Sequence, residues 1–264
     1  MENQFCKTVA YNGLNIKYAQ GPTSLRGNEI HTCHEIVYFM TDGNIFYSKY
    51  GQRKIHAQTL VVIPKYTYHR TDIKDDSKYR RIAMNFDDMF APALFEEIMD
   101  DIHVFEDLPD GLIQILRDMV SAFNQDIPDF KRELLLYSSF TQLLVELSLQ
   151  KNPQKAIPVE TNATLSSIIS YIDDHLSETL NEQIIAKDLF LSPSTVRATI
   201  SHNLNISLHK YIVKKRLMLA QKLIETGMHA SHVYQKCGFA DYSTFYRAYK
   251  NYFGISPSRK NKLY

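Results

Sequence analysis

A segment near the C-terminus repeats itself at an offset of 49 residues. Ser194-Thr195-Val196-Arg197-Ala198-Thr199-Ile200 aligns with Ser243-Thr244-Phe245-Tyr246-Arg247-Ala248-Tyr249, and Asn205-Ile206-Ser207 aligns with Gly254-Ile255-Ser256. Upstream, Phe190 falls on Phe239 and Lys187 on Lys236. Each copy reads as a short helix, a tight turn and a second helix. Two such units joined by a rigid rod constrain the fold strongly. They also constrain its use, because paired helices of this kind can enter successive major grooves of a DNA duplex, about 34 Å apart.

The local signals agree with this reading. Ser192 is a good N-cap, and Pro193 suits the first helical position, where its missing N–H is no loss. The helix from Pro193 to Asn203 buries Val196 and Ile200, and Asn205 closes it in the left-handed conformation. A supporting helix precedes it over Glu182–Leu189, behind a first helix over about Thr164–Asp174. A long helix over Leu208–Glu225 joins the units, with Leu208, Tyr211, Ile212, Leu219, Leu223 and Ile224 as its buried stripe. Lys210, Lys214, Lys215 and Lys222 are left for solvent or phosphate. The second unit begins near Ala230, turns at Gly238, is capped by Asp241 and runs to Tyr252, anchored by Phe245 and Tyr249.

Charge follows the same division. Residues 164–264 carry 13 basic and 7 acidic side chains, and residues 1–163 carry 17 and 22. A basic C-terminal part favours a polyanion; an acidic N-terminal part does not. On the two second helices, Ser194, Thr195, Arg197, Ala198 and Ser201, then Tyr242, Ser243, Thr244, Tyr246, Arg247, Lys250 and Asn251, are the candidate DNA-contacting residues. Arg can bond a guanine edge twice, Ser and Thr serve base or phosphate, and Lys holds phosphate.

Residues 1 to about 90 read as short strands. Glu35–Met40 ends at the turn Thr41-Asp42-Gly43-Asn44 and returns along Asn44–Ser48. Gly51-Gln52-Arg53 marks another turn, Thr59–Ile63 stops at Pro64, and Tyr79–Phe86 alternates. Such a pattern suggests a small barrel or sandwich. From about Ala91 the period becomes helical. Leu112, Ile115, Leu116, Met119, Val120 and Phe123 form one stripe. Leu134, Leu136, Tyr137, Phe140, Leu143, Leu144 and Leu147 form another, on a helix from about Asp129 to Gln150. These stripes pack on the strands or on a second copy of the chain. Residues 151–163, with two prolines and no period, read as a linker. The expected fold is thus α+β in two domains: 1–150, then 164–264.

The 264 residues are 44% hydrophobic, enough for real cores. No run approaches the roughly 18–20 apolar residues of a membrane span. The start, Met1-Glu2-Asn3-Gln4-Phe5-Cys6, has no basic region ahead of an apolar run. Three scattered cysteines, Cys6, Cys33 and Cys237, suit a reducing compartment. A cytoplasmic, soluble protein is expected.

The C-terminal residues closely resemble the AraC/XylS family signature. They are Arg216-Leu217, Ala220 and Leu223-Ile224, then Gly238-Phe239, Asp241, Ser243, Phe245, Arg247, Tyr249-Lys250, Gly254 and Ser256-Pro257. The resemblance covers about 100 residues. It implies a transcription regulator, an activator, with promoter DNA and RNA polymerase as partners. It places base reading on Ser194, Arg197 and Ala198, and on Tyr242, Ser243, Tyr246 and Arg247. This chain departs from the pattern at Ala198, where Arg is common, at Ile200 for Phe, at Asn205 for Gly, and at Lys260 for an aromatic.

Many members carry a cupin-like barrel before this domain. His34-Glu35-Ile36-x-Tyr38, Asp42-Gly43 and Pro64-x-Tyr66-x-x-His69 resemble its two blocks. On that reading Tyr38, Tyr47, Tyr68 and His69 are candidate contacts for a small effector, and the helices after the barrel support a homodimer. No metal or cofactor is expected: on a strand His31 and His34 point to opposite faces, as do His34 and Glu35, so His34, Glu35 and His69 do not converge. A metal-dependent cupin enzyme with an appended helical domain is the rival reading, and a regulator whose barrel binds another protein is a third.

Overall fold

The computed structural model describes residues 5–21, 30–75, 77–88, 99, 101–150, 154–155 and 160–257. The chain divides into two compact units, residues 1–46 with 52–159, and residues 47–51 with 160–263.

The first unit is mixed α and β. Strands β1 (Phe5–Tyr11) and β2 (Leu14–Gln20) form a hairpin with Tyr11 paired to Leu14. Asn12 and Gly13 both have positive φ, 43° and 79°, as a two-residue turn matched to strand twist requires. Then come β3 (His34–Phe39), β4 (Asn44–Ser48), β5 (Gly51–Ile55), β6 (Thr59–Ile63), β7 (Arg70–Asp72), β8 (Arg80–Phe86) and β9 (His103–Phe105). Helices α1 (Asp110–Asn124) and α2 (Asp129–Ser148) follow, then β10 (Gln154–Lys155). The larger sheet has the order β1-β2-β8-β3-β6-β9-β10; β5, β4 and β7 lie side by side in another. Among the described residues the strands make these two sheets rather than a closed barrel.

Every residue of β3 and β6 is buried, because both faces of the larger sheet are covered. Ile36, Tyr38, Leu60, Val62, Ile82 and Met84 pack with the apolar faces of α1 and α2. Val37, Phe39, Val61, Ile63 and Ala83 face the other way, with Phe46 and Ile55. Strand alternation thus sends one set of side chains to each layer.

Several expectations shift. Gly51-Gln52-Arg53 begins β5, and the chain reverses earlier, at Lys49-Tyr50. The helical reading from Ala91 does not hold at His103–Phe105, a strand whose three residues are all buried between β6 and β10; residues 91–98 lie outside the described residues. Part of the expected linker, Gln154–Lys155, pairs with β9. On α2, Leu136, Phe140, Leu143, Leu144 and Leu147 are buried as spaced, but Leu134 is 53% exposed. It shares the open side of the helix with Phe130, Leu135, Val145 and Leu149.

The second unit is helical: α3 (Ala163–Asp174), α4 (Glu182–Asp188), α5 (Pro193–Leu204), α6 (Leu208–Glu225), α7 (Ala230–Lys236) and α8 (Tyr242–Phe253). Side chains of Asn162, Asn181, Ser192, Ser207 and Asp241 each accept the backbone N–H three residues on, which satisfies donors that a helix start otherwise leaves open. Asn205 ends α5 at φ 50°, and Gly254 ends α8 at φ 74°.

Leu208, Tyr211 and Ile212 of α6 are buried as expected, but the stripe then turns to Leu217, Met218, Ala220 and Gln221 in place of Leu219, Leu223 and Ile224. A rod packed by α5, α7 and α8 has no single covered face, so one amphipathic stripe does not describe it. Buried Gln221 accepts a hydrogen bond from the Tyr249 hydroxyl and donates to Glu225 Oε1 at 2.7 Å. Among the described residues no helix is long and apolar enough to cross a membrane.

Candidate nucleic-acid interface

The repeat is visible at atomic detail. At the start of α5, Ser192 Oγ accepts the Thr195 N–H at 3.0 Å and lies 2.7 Å from the Thr195 hydroxyl. At the start of α8, Asp241 accepts the Thr244 N–H at 2.8 Å and its hydroxyl at 2.9 Å. Val196 and Ile200 in one helix, and Phe245 and Tyr249 in the other, occupy the same turns and are buried. Both second helices are therefore fixed at their starts and anchored along one side.

The supporting helices align differently. The Leu191 N–H bonds to the Ala186 carbonyl, and the Phe239 N–H to that of Tyr234, so the two turns match at an offset of 48. Phe190 corresponds to Gly238, and both sit at positive φ, 56° and 75°. The expected match of Phe190 to Phe239 and of Lys187 to Lys236 is thereby corrected. Phe239 is only 7% exposed, whereas the Phe190 ring is 96% exposed. The second turn holds one more residue before its cap, Ala240, and the offset becomes 49 beyond it.

Gly238 is required by space as well as by φ. A Cβ there would lie 2.3 Å from the Leu176 carbonyl oxygen and 2.9 Å from the Arg216 guanidinium. That guanidinium is pinned, donating to Leu176 O at 3.0 Å and Glu178 O at 2.6 Å.

The remaining face of each second helix is open. Ser194, Thr195, Arg197, Ala198 and Ser201 are exposed on α5. Tyr242, Ser243, Thr244, Arg247, Lys250 and Asn251 are exposed on α8, with Tyr246 half-buried. Arg197 reaches Glu182 Oε1 at 3.3 Å across an exposed pair, an association that water and salt weaken. Arg247 Nε lies 3.4 Å from the Ser243 carbonyl. Thr195 and Thr244 are engaged in capping, so their hydroxyls support the helix starts. Lys210 and Lys222 are exposed on α6, but Lys215 is bound to Asp173 at 2.9 Å. Bonds from Thr244 hold the Asp241 carboxyl below the usual carboxylate range.

The effector candidates are not gathered in one place. Tyr38 lies on the face of β3 that packs with α1 and α2. His69 lies 2.9 Å from Glu35, on the opposite face by alternation. Tyr68 is buried, which raises its phenol pKa, and Tyr47 is half-buried. A surface cleft of about 390 Å³, lined by His56–Thr59 and Glu106–Leu108, contains none of the four.

Residues 185–262 match a family described as "Helix-turn-helix domain". The "Probable transcriptional regulator LumQ" of Photobacterium leiognathi is 29% identical over 165 residues, 61% of this chain and 65% of that protein. The "HTH-type transcriptional activator RhaS" of Escherichia fergusonii is 31% identical over 142 residues, 53% of this chain and 49% of that protein. The chain thus spans about half to two thirds of the length of these curated relatives. The crystal structure of ToxT from Vibrio cholerae overlays 93% of this chain and 95% of its own at 14% identity and a TM-score of 0.40, too loose a likeness to carry a conclusion. With its capped twin units, the helical unit that follows residue 160 carries a helix-turn-helix domain over residues 185–262.

Proposed function

We propose that the protein is a sequence-specific DNA-binding transcription regulator, an activator, in which α5 and α8 enter successive major grooves of one duplex. The observation that carries this reading is the matched pair of second helices, each capped at its start, anchored by two buried side chains and open along the other face. Ser194, Arg197, Ala198 and Ser201, with Tyr242, Ser243, Tyr246, Arg247, Lys250 and Asn251, contact DNA. Lys210 and Lys222 hold phosphates. RNA polymerase is the partner through which promoter binding is read out. Residues 1–150 serve sensing and dimerisation, 151–163 the link, and 164–264 DNA binding.

Two features of the first unit belong to this proposal. Its strands form a cupin-like sensing layer, with Tyr38, Tyr47, Tyr68 and His69 as the positions to test for response to a small effector. The apolar open side of α2, with Phe130, Leu134, Val145 and Leu149, supports a homodimer.

Footprinting on DNA flanking the protein's own gene tests the reading. A bounded footprint at moderate salt is expected. Arg247→Ala should relax discrimination between specific and random DNA by about 1–3 kcal/mol, the range of one two-bond base contact. Binding with no sequence preference at any salt concentration would overturn the assignment.

A further inference from the structure

A separate cluster lies in the first unit. His31 precedes the bend at residues 32–33 that leads into β3, so it escapes the alternation that governs His34 and Glu35. Its Nε2 lies 3.5 Å from Glu35 Oε2. His69, beside β7, brings its own Nε2 to 2.9 Å from the same oxygen. The donor atoms of His31, Glu35 and His69 all lie within 4.8 Å of one another. Glu35 is 4% exposed and His69 3%. His34, expected to point away from Glu35, meets Asp88 at 3.0 Å.

The spacing suits one cation. Metal–donor bonds of about 2.0–2.2 Å place neighbouring donors roughly 3–3.5 Å apart. The separations of 3.5 Å and 2.9 Å fall at the two ends of that range.

The protonation pattern points the same way. His69 Nδ1 lies 3.2 Å from the Thr67 carbonyl oxygen, which can only accept, so Nδ1 carries the hydrogen. In the neutral ring Nε2 then presents a lone pair to a carboxylate oxygen. Two lone pairs in contact repel unless a cation sits against both or the ring takes a second proton. An imidazole that donates Nδ1–H to a backbone carbonyl and offers Nε2 is oriented as metal-bound histidines are. The rings are further held by packing: Phe46 stacks on His69 with centroids 6.1 Å apart, and His31 lies 5.2 Å from His69. Glu35 is buried with both imidazoles against it. A buried anion needs positive charge nearby.

We propose that His31, Glu35 and His69 bind one divalent transition-metal ion of the zinc, cobalt(II), iron(II) or manganese class. Two imidazoles and a carboxylate favour such ions over calcium or magnesium, which take oxygen donors. The ion ties the bend before β3 to the residue that leads into β7. Three protein donors leave coordination positions for water or a small anionic solute.

The test uses the full chain, stripped with chelator and titrated with cobalt(II) and with zinc(II) by calorimetry. One equivalent is expected. The cobalt form should show weak visible bands without thiolate charge transfer, which separates this site from the cysteines. Saturating zinc should raise the melting temperature. His31→Gln, at a half-exposed position ahead of the bend, should weaken affinity at least tenfold with the melting of the metal-free protein unchanged. Glu35→Gln should abolish binding; if that variant does not fold, His31→Gln decides alone. Less than a tenth of an equivalent at saturation, or unaltered affinity in His31→Gln, would overturn the proposal and leave a His–Glu–His cluster held by a shared proton. The DNA footprint of the same preparations is an independent readout, so loss of either property does not imply loss of the other.

Discussion

Gly238→Ala isolates the cost of one methyl group against a backbone oxygen. The added Cβ would sit 2.3 Å from Leu176 O, far inside any carbon–oxygen contact, and 2.9 Å from the Arg216 guanidinium. Placing Ala at φ 75° costs about 1–2 kcal/mol by itself. Relieving the clash moves the Leu176 carbonyl or releases Arg216, and a hydrogen bond from a charged donor is worth about 1.5–3 kcal/mol. The total comes to about 2.5–5 kcal/mol. Gly254→Ala is the control, since its φ is 74° and nothing lies within 4 Å of the added Cβ. It should carry only the conformational part, about 1–2 kcal/mol. Urea unfolding of both variants, followed by helical circular dichroism, should therefore separate them by about 1.5–3 kcal/mol. A heat scan should separate their midpoints by roughly 6–24 °C for a unit of this size. Equal destabilisation of the two variants, within about 0.5 kcal/mol, would refute the argument that Gly238 is set by space.

Other perturbations probe single contacts. Asp241 is held below its ordinary pKa by bonds from Thr244, so its contribution to α8 is present above the unfolded carboxylate pKa and fades as pH falls through its lowered folded value. Melting between pH 6 and pH 3 should show this acid sensitivity in the native protein and a shallower response in Asp241→Asn; parallel curves would contradict it. Lys215 is bound to Asp173, so Lys215→Ala should leave DNA affinity nearly unchanged, whereas Lys210→Ala should weaken specific and random DNA alike and reduce the salt slope by about one. Leu134→Glu on the open side of α2 should shift sedimentation from dimer to monomer without changing the melting of the first unit; a monomeric native protein would remove the dimer reading.

The helical unit was legible in the sequence because its punctuation is local. Ser192, Asp241, Asn205 and Gly254 each do, by short-range bonding or by tolerance of left-handed backbone, what their residue types do elsewhere. The turn between α4 and α5 departs from the expected alignment for a structural reason. The repeat is strict only from the caps onward, and Ala240 lengthens one turn, so a single offset paired an exposed Phe190 with a buried Phe239. In the first unit, Asn12-Gly13 carried an unread hairpin signal. The three residues of β9 are too few to show a period. Closure into a barrel, as opposed to two sheets, depends on pairings between distant strands that no local pattern encodes. The convergence of His31 with Glu35 and His69 was hidden because alternation was applied to a residue that precedes the strand.

The bond between Gln221 and Tyr249 sits among hydrocarbon side chains at the crossing of α6 and α8. Apolar surfaces tolerate sliding, since one leucine substitutes for another at little cost. An amide and a phenol in that crossing do not, because any slip of a helical turn strands both without water. Its main effect is on rejected arrangements, which it penalises more than it favours the native one. A domain that must hold α8 at a set height along its neighbour gains from this an alignment key that greasy packing alone does not supply.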